Sequence, residues 1–209
     1  MTPNTKTKLK NEMQIRTLQV FAPAPETKRI DSNYYVEGYA ARYEPYVLFE
    51  DEDGPIYERF EPGCFDGCDM SDIIMQLNHQ GTVMARLSNG SLIVEPDERG
   101  LFTAADLGRT EAARRMYEEI STGMITKMSW GFILGNYEYD RQSRTFIHHS
   151  VKKIFDVSAV SIPANNSTEI NARSWADGVI ALAARSEAEL DDRRRRLRLK
   201  IQIQKEDLT

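Results

Sequence analysis

Apolar residues along this chain recur mostly at alternate positions, in short runs separated by turn-forming residues, which is the signature of half-buried strands. Gln14 to Phe21 predicts a first strand, ended by Ala22-Pro23-Ala24-Pro25, and Tyr34 to Ala41 a second with Gly38 as a bulge. Tyr43 to Gly54 is acidic and aromatic and reads as an exposed loop, while Arg59 to Phe65 holds a Pro-Gly turn anchored by its aromatics. Asp72 to Leu77 reads as a short buried strand that leaves through the turn Asn78-His79-Gln80-Gly81. Val83 to Leu87 and Ser91 to Glu95 flank Asn89-Gly90, a hairpin signal, and Leu101 to Asp106 follows the turn at Pro96 to Gly100.

The period then changes. Thr110 is a good N-cap, Ala112, Met116 and Ile120, with Ala113 and Tyr117 beside them, form an apolar stripe at helical spacing, and Gly123 can close the helix. Strands resume over Lys127 to Tyr139, Thr145 to Val151 and Lys153 to Ile162, the last ending at Pro163-Ala164-Asn165. From Ser174 onward charge dominates, including four arginines at 193–196, and a partly helical tail is expected. The division predicted is a disordered leader at 1–13, a folded domain at 14–173 and the tail at 174–209. Many short strands with regularly spaced turns predict an α+β, mainly β fold, an antiparallel β-barrel with a few flanking helices.

Composition narrows the function classes. The 209 residues are 41% hydrophobic and 28% charged, enough for one substantial core with charged flanks. A formal net charge of −5 argues against general nucleic-acid binding. Cys64 and Cys68 are too few for a disulfide framework, and with three histidines in all they make a poor zinc site. Common nucleotide-binding glycine motifs are absent, so neither cofactor nor metal is expected. With no apolar run of membrane-spanning length and no signal peptide, no membrane partner is expected and a reducing cytoplasm is the default compartment.

Candidate chemistry centres on Thr126 to Leu134. In an extended chain Met128, Trp130 and Phe132 share one face, and Ser129, Gly131 and Ile133 the other. A glycine two residues from the serine leaves room for another backbone or a ligand. Ser129 therefore reads either as a nucleophile or as a half-buried strand serine bonded to a neighbour. A nucleophilic serine needs a base and a group to orient that base. His79 stands alone in the turn after a buried strand, as a structural residue or as that base. Asp156, an acid in apolar surroundings, needs a partner, which could be a histidine or one of the many arginines. Ser129, His79 and Asp156 are compatible with a triad, although their spacing does not show that they meet.

Six ordered stretches carry a resemblance: Glu37-Gly38-Tyr39-Ala40, Glu61 to Phe65, Leu77-Asn78-His79, Gly100-Leu101 with the strand to Asp106, Ile125 to Phe132, and Asp156 to Ser161 with Pro163-Ala164-Asn165. Over about residues 35–172 the chain resembles the prohead maturation proteases of tailed bacteriophages, a family related in fold to herpesvirus assemblin. The resemblance implies a serine endopeptidase with Ser129 as nucleophile and His79 as general base. It further implies action inside the immature shell in the host cytoplasm, with the major capsid protein and its scaffold or delta domain as substrates. Self-cleavage, a tail that targets the shell and is later removed, and assembly into a homo-oligomer are compatible with it. Trp130 replaces the family's usual Phe or Tyr, and Asp156 its usual Glu. The third member is thus Asp156 by the acidic position, or His149 by analogy with the second histidine of assemblin. Rival readings are a cysteine protease using Cys64 or Cys68 with His79, and a non-catalytic capsid-assembly module.

Overall fold

The computed structural model describes residues 13–19, 21–22, 28–161 and 166–206. The chain falls into two compact units, Met1–Ala172 and Arg173–Thr209. The predicted leader lies outside the described residues except for Met13, which begins the first strand, and so do Pro23-Ala24-Pro25 and Pro163-Ala164-Asn165. In chain order the strands are β1 (Met13–Gln19), β2 (Phe21–Ala22), β3 (Tyr35–Arg42), β4 (Tyr46–Asp51), β5 (Gly54–Phe60), β6 (Ile74–Leu77), β7 (Gln80–Arg86), β8 (Leu92–Pro96) and β9 (Gly100–Asp106). Helix α1 (Glu111–Ser121) follows, then β10 (Lys127–Leu134), β11 (Tyr137–Asp140), β12 (Thr145–His148), β13 (Val151–Val160) and helix α2 (Asn166–Glu206).

The fold is mainly β with few helices, as expected, but no closed barrel is found among the described residues. Three open sheets have the orders β1-β10-β13-β6-β7, β11-β12-β5-β4 and β2-β3-β9-β8. Nor is the pairing wholly antiparallel, because β13 runs parallel to β6 and β12 parallel to β5. Alternation along a strand reports that one face is buried. It does not report whether a sheet closes on itself, nor which distant strand lies alongside.

Three local expectations change. Residues 43–54 are not a loop: β4 and β5 form a hairpin with Asp51 opposite Gly54. Its acidic residues interrupt the apolar alternation, which hid the strands from a pattern reading. Asn89-Gly90 does not join paired strands either. Leu87–Asn89 is a single 3-10 turn closed by Gly90 at φ 72°, and it passes the chain from β7 in one sheet to β8 in another. The bulge expected at Gly38 falls between Tyr39 and Ala41. Helix α1 matches its prediction: the Thr110 hydroxyl accepts the Ala113 N–H, and Ala113 and Met116 are buried.

One face of β10 anchors the core. Met128, Trp130 and Phe132 are fully buried. The Trp130 and Phe132 rings stack at 3.8 Å, and Phe60 of β5 meets both edge-on at 5.3 and 5.7 Å. Truncating a ring of this kind typically costs about 3–5 kcal/mol, so β10 is fixed firmly in place. The alternation of strand side chains then commits Ser129 and Gly131 to the opposite face.

Candidate active site

Three neighbouring elements of the five-stranded sheet bring the predicted residues together. On β10, Ser129 lies opposite Ser158 of β13, and Gly131 opposite Asp156. A bulge follows at once, between Gly131 and Phe132, where such irregularities commonly re-aim side chains. Parallel pairing of β13 with β6 carries the β6–β7 hairpin up beside these residues, and His79 lies in its turn.

That turn is tight. Leu77 pairs with Gln80, leaving Asn78 and His79 as a two-residue connection, both with positive φ (54° and 57°). This is the backbone sign pattern of a type I′ hairpin turn, which asparagine tolerates and histidine adopts less readily. Asn78 is clamped to the end of β13: its N–H donates to the Ala159 carbonyl at 2.8 Å, and its Oδ1 accepts the Ser161 N–H at 3.0 Å. The strained turn is thereby held where the imidazole is needed.

His79 Nε2 lies 2.7 Å from Ser129 Oγ, and His79 Nδ1 lies 2.5 Å from Asp156 Oδ2. With Nδ1–H donating to the carboxylate, Nε2 is the acceptor facing the serine. Ser158 Oγ donates a further bond to Asp156 Oδ2 at 2.7 Å. Asp156 is 7% exposed, so its partners compensate its loss of water. Gly131 makes room for it, because a Cβ there would lie 2.5 Å from Asp156 Oδ1. The open space read beside Ser129 is thus filled by the acid.

The other candidates lie elsewhere. His149 is 38% exposed, and its Nδ1 pairs with Glu61 Oε2 at 2.7 Å rather than with His79. Cys64 is buried, and burial pushes its thiol up to about 12; the same cause pushes Cys68 to about 11. A cysteine nucleophile needs a depressed value, so both thiols are poorly suited to attack. Among the described residues no group of three or more His, Cys, Asp or Glu is arranged to hold a metal ion, and no helix is long and apolar enough to cross a membrane.

Pattern reasoning missed several neighbours. Ser158 and Ser161 lie in the quoted Asp156 to Ser161 stretch, but their roles become visible only once the strands pair. Strand β1 pairs antiparallel with the remaining edge of β10, setting Thr17 opposite Ser129. Thr17 Oγ1 donates to Ser129 Oγ at 3.2 Å, and Ser129 Oγ lies 2.9 Å from the Arg16 carbonyl oxygen. Beneath β1, on the core side, lies a second imidazole–carboxylate pair. Glu58 is fully buried; it accepts Arg16 Nε and Nη2 at 2.5 and 2.8 Å, His148 Nε2 at 2.7 Å, and the Tyr46 hydroxyl. Burial alone would raise Glu58, but the Arg16 charge and the bonds from His148 and Arg16 outweigh it and hold the carboxyl well below its usual range. Burial pushes His148 down, which suits a neutral imidazole donating through Nε2.

A hydroxyl, an imidazole and a carboxylate bonded in series are the constellation that serine peptidases use. The family comparison leads to the same class: the caudovirus prohead serine protease family matches residues 24–178. The chain belongs to that family and is a serine-type peptidase. Comparisons with curated proteins and with solved structures gave no match.

Proposed function

We propose that Ser129, His79 and Asp156 are the nucleophile, general base and orienting acid of an endopeptidase that cleaves capsid and scaffold proteins, and the chain itself, during phage head maturation. The observation that carries this reading is the series of bonds from Ser129 Oγ through His79 to Asp156, at 2.7 and 2.5 Å. In the reaction Ser129 Oγ attacks a peptide carbonyl carbon while His79 Nε2 takes its proton. The C–N bond then breaks, and His79 returns that proton to the leaving amine. Water, deprotonated in turn by His79, hydrolyses the acyl ester and restores the serine. Asp156 stays ionised throughout, fixing the tautomer and stabilising the imidazolium, and Ser158 steadies Asp156.

Such an enzyme works inside the immature shell in the host. The charged tail at 174–209 suits a segment that directs it there and is cut away later. The test is co-expression with the capsid protein of the same phage, read by intact mass. Wild type should shorten the capsid precursor, whereas a folded Ser129→Ala protein should leave it whole, since losing a triad member costs several orders of magnitude in rate. Normal processing by Ser129→Ala would overturn the assignment.

A further inference from the structure

Ser129 has no exposed surface, which is an unusual condition for a residue that must reach a peptide bond. Both edges of β10 are taken, one by β13 and the other by β1. β13 carries Asp156 and Ser158, so a substrate strand cannot replace it without dismantling the site. Among the described residues, the bonds of the His79–Asp156 pair run to Ser129 and Ser158 rather than to β1. What β1 does bring is a backbone carbonyl: that of Arg16 lies against Ser129 Oγ at 2.9 Å, with Thr17 beside it. The serine has one proton and two acceptors, Arg16 O and His79 Nε2. With the carbonyl oxygen rather than its carbon facing Oγ, the serine can donate to this strand but is not poised to attack it. β1 also lies wholly before residue 24, where the family match begins.

The Arg16 side chain enters a fitted site on the other face. Its guanidinium meets Glu58 with two bonds, next to Tyr46 and His148, and lies 5.7 Å above the Phe132 ring. With β1 in place Arg16 is 4% exposed and Glu58 fully buried, so a strand that covers Glu58 again without a cation would bury a carboxylate that keeps only the His148 and Tyr46 bonds and no counter-charge. A strand that displaces β1 along β10 must therefore bring its own cation to Glu58. Resting on the protease reading above, we propose that β1 is an internal substrate mimic that occludes Ser129, and that the buried Glu58 marks a subsite for a basic side chain in the strand that replaces it. Substrates accordingly carry Arg or Lys at the residue whose carbonyl comes to lie against Ser129, and the chain stays latent until a competing strand displaces its own.

The experiment measures how fast a fluorophosphonate probe labels Ser129 in full-length wild type, Arg16→Glu and Ser129→Ala, with thermal melting as a check of folding. Arg16→Glu places two carboxylates together in a buried site and should release β1, so labelling should accelerate at least about tenfold. A synthetic peptide of residues 13–19, Met-Gln-Ile-Arg-Thr-Leu-Gln, should then slow labelling of the variant, and the same peptide carrying the Arg16→Glu change should not. Equal labelling of wild type and a folded variant would overturn the occlusion while leaving the protease reading intact. Equal protection by both peptides would overturn the basic subsite. An Arg16→Glu protein without a cooperative melt would make β1 part of the fold and overturn the proposal. If neither wild type nor variant is labelled above the Ser129→Ala background, the nucleophile itself is misassigned and the proposal falls with it.

Discussion

Gly131→Ala is a sharp perturbation because it touches the site without removing any group that acts in it. A Cβ at position 131 would meet Asp156 Oδ1 at 2.5 Å, whereas ordinary contact begins at 3.4 Å. The carboxylate must therefore retreat by roughly 0.9 Å, the difference between those distances. The obstacle is the far end of a side chain rather than backbone, so the strand can stay in place while the acid moves. Asp156 Oδ2 is bound at once to His79 Nδ1 at 2.5 Å and Ser158 Oγ at 2.7 Å, and a shift of that size breaks or badly lengthens at least one of these bonds.

Misplacing a positioned group by about 1 Å can cost around a hundredfold in rate. Gly131→Ala should thus lower kcat by roughly that factor, with KM little changed because no substrate-binding surface is altered. The melting temperature should move by only a few degrees, since the clash is relieved by a side-chain rotation. Cleavage of a capsid precursor, followed over a range of substrate concentrations, separates the two constants. A folded Gly131→Ala enzyme with kcat within about threefold of wild type would refute the idea that the glycine exists to seat the acid.

Three further outcomes are expected. Asp156→Asn should lose roughly a hundredfold or more in processing rate, as tautomer errors do, while His149→Ala should stay within about threefold; the reverse pattern in the same assay would make His149 the orienting residue. Asn78→Ala replaces a residue that tolerates φ 54° with one that tolerates it less and removes the acceptor for Ser161, so it should destabilise by roughly 1–3 kcal/mol in denaturant unfolding, with Asn78→Gly milder because glycine accepts that backbone. Glu58 is held below its unfolded value of about 4.3, so its contribution to stability is complete above that pH and is lost as pH falls below it. The melting temperature of wild type should accordingly drop on acidification from pH 5 to pH 3 more steeply than that of Glu58→Gln, which should melt lower overall because the buried Arg16 charge loses its carboxylate counter-charge; parallel slopes would contradict this.

The parts of the site that could be read from the chain are those determined by local periodicity. Alternation along Met128 to Phe132 separates a core face from a polar one, and the structure keeps that division. Asp156 could be singled out because a carboxylate amid apolar residues must be compensated, and His79 because it follows a strand directly into a turn. What could not be read is everything that depends on which strands become neighbours. Ser129 is 50 residues from His79 in sequence, and His79 is 77 from Asp156. Their meeting requires β13 to pair antiparallel with β10 and parallel with β6. Glu58 was hidden for a related reason. It lies on β5, whose hairpin partner reads as a loop, and its partners Arg16 and His148 lie 42 and 90 residues away.

The two faces of β10 also explain how a reactive serine and a firm scaffold share one strand. Trp130 and Phe132 are locked by the stack with Phe60, so the backbone between Ser129 and Gly131 has little freedom to shift register. A slip of one residue would turn those rings out of the core and the serine into it, at a cost of several kcal/mol. The bulge after Gly131 then does what a regular ladder could not. It ends the strict pairing beyond Asp156, so that β13 can present the acid beside the glycine while Ile154, two residues before it, opposes Phe132 in the core. The aromatic face sets the position of β10, the glycine and bulge set the position of the acid, and the acid with the Asn78-clamped turn sets the imidazole. Each placement depends on the one before it, which is why the Gly131 substitution, although it removes no reacting group, should register in kcat.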